Sequence, residues 1–138
     1  MSLLTPELRA ALRRNDAERR EAHRTRRAEP DPAPLVKLFS PLSAATWLAT
    51  ELAEDGDTLF GLADLDFGCP ELGYFSLSEI AAVRLPFGLR IERDEAFRSQ
   101  FALSVWADWS RRSGSILFAE TLLRRVALAR TNEIPPGP

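Results

Sequence analysis

The side chains with the most potential for chemistry lie in the middle of the chain. Cys69 is the single cysteine and Tyr74 the single tyrosine, with Glu71 between them in "FGCPELGYFSLSEI", residues 67–80. A nucleophilic cysteine needs a base and a depressed thiol pKa. The one histidine, His23, sits in a polar N-terminal stretch, and no signature joins it to Cys69. Cys69 therefore reads as a small residue in a turn. A structural zinc needs several Cys and His ligands, and this chain has one of each. Magnesium asks for less, one or two carboxylates beside substrate phosphates. Glu51, Asp64, Glu71 and Glu92 lie on expected strands. Their convergence on one face or rim would suit a metal-dependent enzyme acting on nucleic acid. There is no glycine-rich phosphate loop and no Gly-x-Ser-x-Gly elbow. No cofactor is expected.

Charge offers two further candidates. From Glu51 to Glu71 the chain carries seven carboxylates and no lysine or arginine. Asp55, Asp57, Asp64, Asp66 and Glu71 could form an acidic surface that docks a protein partner, either basic or nucleic-acid-handling. The plainer reading is a hairpin edge kept soluble by charge. The opposite sign gathers upstream, at Arg13, Arg14, Arg19, Arg20, Arg24, Arg26 and Arg27. Arg19, Arg20, Arg26 and Arg27 are candidate contacts to nucleic acid phosphates. Asp16, Glu18 and Glu21 dilute the run, and no aromatic residue interleaves to stack on bases. Overall the charge is −2 and the pI about 5.5, so the whole-molecule field does not favour polyanions or membranes.

These residues need elements to hold them. At 138 residues and 45% hydrophobic the chain suits one domain with one real core. Thr5 is placed to cap a first helix, with Pro6 at its opening position. Leu4, Leu8, Ala11 and Leu12 share a face, and Arg13 to Arg27 is polar on all sides. "EPDPAP" then breaks the helix, so residues 28–34 read as a linker. "LVKLF" (35–39) is a short strand. Asp-Gly at 55–56 marks a turn between strands at 46–52 and 58–65. A second turn at "FGCP" leads to a strand at 71–76. There Leu72 and Tyr74 share one face, and Glu71, Gly73 and Phe75 the other. Ser76 or Ser78 caps a short helix. "LRIERDEAF" (89–97) alternates like a half-exposed strand.

Ala102, Val105, Trp106 and Trp109 have helical spacing, and the tryptophans read as core or as the seam against a last helix that begins near Ser115. The expected fold is α+β. A mostly antiparallel sheet of about four to five strands is flanked by helices at both ends of the chain. The organisation is a helix at 1–27, a linker at 28–34, a core at 35–130 and a tail at 131–138. One cysteine gives no internal disulfide. No apolar run approaches the roughly 18 residues of a membrane span, and no signal peptide is evident. The expected location is the cytoplasm.

"LLTPELRAAL", "VKLFSP", "ATWLATEL", "DGDTLFGLADL", "CPELGYFSLSEI" and "LRIERDEAF", in that order, resemble a family of small bacterial proteins of unknown function. Its members are commonly carried on conjugative plasmids and integrative elements. The resemblance runs from about Leu3 to about Phe97, and more weakly through "LSVWADWSRRSGSI". The arginine-rich segment near 16–29 and the helix after Ile116 look like departures. The resemblance implies a mobile-element setting and no reaction. It carries Trp47, Glu51, Gly61, Asp64, Glu71, Gly73, Tyr74, Glu92, Arg93 and Asp94 as residues of a shared site or of a shared fold. The expected function is that of a non-enzymatic accessory protein that binds a host- or element-encoded protein, one form being interference with host defence.

Overall fold

The computed structural model describes residues 2–132. The first helix, α1 (Pro6–Arg24), opens as the sequence dictates, with the Thr5 hydroxyl accepting the Leu8 N–H at 3.1 Å. Five strands follow: β1 (Val36–Phe39), β2 (Thr46–Leu52), β3 (Thr58–Asp64), β4 (Glu71–Ser76) and β5 (Glu92–Arg93). They form one sheet in the order β4-β3-β2-β1-β5, antiparallel throughout. A short helix α2 (Leu77–Ala82) leaves β4 directly, capped by the Ser76 hydroxyl. Two helices close the chain, α3 (Leu103–Ser113) and α4 (Ile116–Asn132). Gly114 adopts the left-handed conformation between them (φ 84°), the usual way to end a helix without a Cβ clash.

β2 is buried along its whole length because both faces of the sheet are covered. On one side Leu4 and Leu12, with Leu77, Ile80 and Ile91, pack on Val36, Leu38, Trp47, Ala49, Leu52 and Leu59. On the other, Leu103, Trp106, Ile116, Ala119 and Leu123 pack on Leu48 and Leu62. The expected α+β class and antiparallel sheet are what the chain adopts.

Four details differ from the sequence reading. The strand expected at 89–97 pairs only at Glu92–Arg93. Beyond it the Asp94 carboxylate accepts the Ala96 N–H at 3.0 Å, a local turn that ends pairing. The linker is anchored as well, since the Pro32 carbonyl accepts the Leu103 N–H at 2.9 Å and Asp31 accepts the Ser104 N–H at 3.2 Å. It caps α3, which lacks a side-chain cap of its own at Ala102. Within the stretch expected to be polar on all sides, Asp16 and Ala22 are buried. Of the expected tail, residues 131 and 132 extend α4, and 133–138 lie outside the described residues.

Candidate functional site

β2 contains one irregularity, and it controls where the carboxylates go. The register shifts between Ala49 and Glu51, leaving Thr50 as the extra residue of a bulge. Before the bulge Trp47 and Ala49 face the α1 side, and after it Leu52 does. The extra residue thus rotates Glu51 out of the α1-side core, opposite Phe60. The orphaned Thr50 carbonyl accepts the Asn15 side-chain amide at 2.9 Å. Gly61 makes the bulge possible, because a Cβ there would lie 1.7 Å from the Leu48 carbonyl oxygen.

Glu51 is buried and pairs with Arg19, Nε to Oε1 at 2.6 Å. That bond leads the causes that raise the guanidinium pKa above its ordinary value. Arg19 also reaches buried Asp16 at 3.2 Å, and Asp16 collects Arg13 at 3.1 Å and Arg20 at 3.0 Å. Arg20 also pairs with Glu54. Two of the four candidate nucleic-acid arginines are therefore engaged by carboxylates. The other two, Arg26 and Arg27, are exposed just past α1, with Arg26 in the left-handed region (φ 56°). A cleft of about 200 Å³ lies beside the Arg19–Glu51 pair, lined also by Asp31, Phe60, Tyr74 and Leu103. Tyr74 leans on Phe60 with ring centroids 5.1 Å apart, rather than packing with Leu72 as the strand pattern suggests.

The sequence-predicted carboxylates do not converge. Glu51 pairs opposite Phe60 and Asp64 opposite Thr46. The four-residue offset along β3 is about 13 Å. Glu71 stands opposite Ala63, on the α1 side of the sheet, whereas Asp64 is on the α3–α4 side. Glu92 is exposed on the far edge strand. The expected meeting of Glu51, Asp64, Glu71 and Glu92 is thus corrected by the register. Among the described residues no group of three or more His, Cys, Asp or Glu side chains is placed to hold a metal ion.

The acidic segment is likewise divided between the two ends of β3. At one end Asp55 closes the β2–β3 turn. It accepts the Thr58 hydroxyl at 2.6 Å and the N–H groups of Thr58 and Asp57, each at 2.8 Å. These bonds, the Thr58 hydroxyl first, hold its carboxyl down at about 2. Asp57 accepts the Ser76 hydroxyl at 2.7 Å and the Ser78 N–H at 2.8 Å. The Ser76 bond is the leading cause of its lowered pKa.

At the other end, Asp64 is 1% exposed. Its Oδ2 accepts the Ile116 N–H and its Oδ1 the Asp66 N–H, both at 2.9 Å. Asp66 in turn accepts the Ala44 N–H at 3.4 Å. These two carboxylates tie together the β1–β2 turn, the β3–β4 turn and the start of α4. The Gly68 carbonyl oxygen lies 4.0 Å from where a Cβ on Gly114 would stand, a second approach of the β3–β4 turn to the start of α4. Large apolar side chains are exposed on all three: Leu42, Leu65, Phe67, Leu117 and Phe118, with Phe67 at 81% and Phe118 at 58%. Asp66 and Glu71 are exposed at the same end, as is Cys69, whose Sγ lies 3.8 Å from the Phe67 carbonyl.

The sequence reading missed this surface. Its one visible signal is "DLDFG", where two apolar residues alternate with aspartates in a turn. Of the tryptophans, Trp106 is core and Trp109 packs partly buried beside it. No helix among the described residues is long and apolar enough to cross a membrane.

A family model described as a protein of unknown function, DUF2958, matches residues 3–117. The chain belongs to the DUF2958 family. The match takes in α1, the whole sheet, α2 and α3, and stops two residues into α4. Of the residues that the motif resemblance singled out, several serve the family-matched fold directly. Gly61 accommodates the bulge, Asp64 ties strand to helix, Arg93 donates to the Leu3 carbonyl at 2.7 Å and Asp94 lies 3.5 Å from Lys37. No curated protein and no solved structure matches the chain.

Proposed function

We propose that the chain is a non-catalytic binding protein whose partner is a protein. The partner docks on the end of the sheet where the β1–β2 turn, the β3–β4 turn and the start of α4 meet. The observation that carries this reading is the set of exposed apolar side chains on three tied loops, with Phe67 and Phe118 foremost. Exposed aromatic residues held on a rigid support are the usual anchors of protein interfaces. Scattered single apolar residues would need no such account, but a gathering on one end does. Asp66 and Glu71 border it, so a partner with a basic rim around an apolar centre fits best. In the mobile-element setting that the motif resemblance implies, the partner is a host- or element-encoded protein, and a component of host defence is one such protein.

Affinity capture from bacterial lysate, with and without nuclease treatment, tests the reading. The unaltered chain retains a discrete protein. The Phe67→Ser/Phe118→Ser variant loses it, and the Asp66→Arg/Glu71→Arg variant holds it more weakly. Capture that survives both variants, or that disappears once nucleic acid is digested, overturns the proposal.

A further inference from the structure

The sheet is open along its β4 edge. β4 ends the strand order and is paired on one side only. The alternation of an antiparallel ladder decides which of its backbone groups are used. The Leu77 N–H donates to the Asp57 carbonyl at 2.9 Å, so Phe75, Gly73 and Glu71 turn their backbone groups toward β3. Those of Leu72 and Tyr74, with the Ser76 N–H, point away from the sheet. Edge strands are normally blunted by charged side chains, proline or a bulge. In Glu71–Ser76 the one charge, Glu71, stands at the first position, there is no proline, and the register with β3 runs without a shift. The opposite edge, β5, is two residues long.

We propose that the β4 edges of two copies of this chain pair antiparallel about a two-fold axis through Tyr74, joining two sheets into one. The strand is complementary to itself in this register. Tyr74 exchanges both backbone hydrogen bonds with its own copy, and the Ser76 N–H meets the Leu72 carbonyl on either side. Gly73 then stands opposite Phe75 of the second copy as a non-hydrogen-bonded pair, the kind in which side chains approach most closely. A Cβ at Gly73 meets nothing within 4 Å in the single chain. That gap receives the Phe75 ring, a cross-strand arrangement that offsets the weakness of a strand glycine. On the other face Tyr74, 69% exposed, and Leu72, 40% exposed, cover one another across the axis. Glu71 falls opposite Leu77, so the two Glu71 carboxylates do not meet. This surface adjoins the apolar loop end at Glu71, the first residue of β4, but Phe67 and Phe118 take no part in it, and either reading stands without the other.

Sedimentation of the full chain up to about 0.1 mM, a range that covers micromolar association, is the test. The expected result is a dimer that dissociates on dilution. Tyr74→Lys sets two like charges directly opposite one another across the axis at a position exposed in the single chain, so it keeps the circular dichroism spectrum and sediments as a monomer. Tyr74→Cys in a Cys69→Ser background places two thiols directly opposite one another across the axis, within reach of a short bis-maleimide, which links the chains. A chain that stays monomeric throughout, a Tyr74→Lys variant that dimerises like the unaltered chain, or a Tyr74→Cys variant that does not crosslink would each overturn the proposal.

Discussion

Gly61 and Gly73 are neighbours across the β3–β4 ladder, yet they are glycines for different reasons. At Gly61 the backbone of β2 occupies the place of a side chain, so Gly61→Ala has to push Leu48 aside. The expected cost is at least about 3 kcal/mol, the upper range for overpacking. Gly73→Ala meets open space and should leave stability unchanged or raise it by about 0.5 kcal/mol, by restricting the unfolded chain. Urea unfolding of the two variants distinguishes them. Asp55 gives a second residue-scale outcome. Its folded pKa of about 2 lies below the ordinary 3.8. The stability it contributes is therefore present above pH 4 or so and is lost as the pH falls toward 2. The lowered pKa of Asp57 acts in the same direction. Thermal unfolding followed from pH 5 to pH 2 should fall less steeply for Asp55→Asn than for the unaltered chain.

At the scale of elements, α4 is held to the sheet by apolar contacts, by the Asp64 carboxylate on the Ile116 N–H and by one ion pair. Lys37, the chain's only lysine, is buried on β1 and reaches Glu120 of α4 at 2.8 Å. Glu120→Ala leaves that ammonium with Asp94 alone, at 3.5 Å. The expected loss is about 2 kcal/mol, less than for a buried charge with no partner. Denaturant titration measures it, and Glu120→Gln should recover part of the loss.

The elements themselves were largely legible in the sequence. Thr5-Pro6 starts a helix and Asp55-Gly56 turns a hairpin, because each signal acts within a few residues. The bulge was not legible, since Thr50 is a good strand residue and its misfit arises only against Gly61. Nor was the role of the 28–34 segment. Its prolines do forbid helix, but the α3 terminus that it caps lies some seventy residues later in the chain. The same limit hid the separation of the carboxylates. Alternation predicts the face of Glu71 within β4, but one extra residue in β2 changes the face of Glu51.

For the whole molecule, the two proposed surfaces adjoin at Glu71, but their central residues differ, and variants at those residues should separate cleanly. Phe67→Ser/Phe118→Ser should still sediment as the unaltered chain does, and Tyr74→Lys should still capture the protein partner. Loss of both properties in either variant, with the fold intact by circular dichroism, would mean that the surfaces work as one. The sequence pointed to this region through its acidity, but the structure assigns several of those charges to holding the backbone in place. Beside the exposed Asp66 and Glu71 it also exposes large apolar side chains, Phe67 foremost.

The bond from the Ile116 N–H to Asp64 has a further consequence. The two residues are 52 positions apart, and this amide sits at the opening of α4, where a helix has no carbonyl of its own to offer. Its exchange with deuterium is therefore not governed by fraying of α4. It proceeds when the C-terminal helices part from the sheet, so a single amide proton acts as a clock for the opening of that layer.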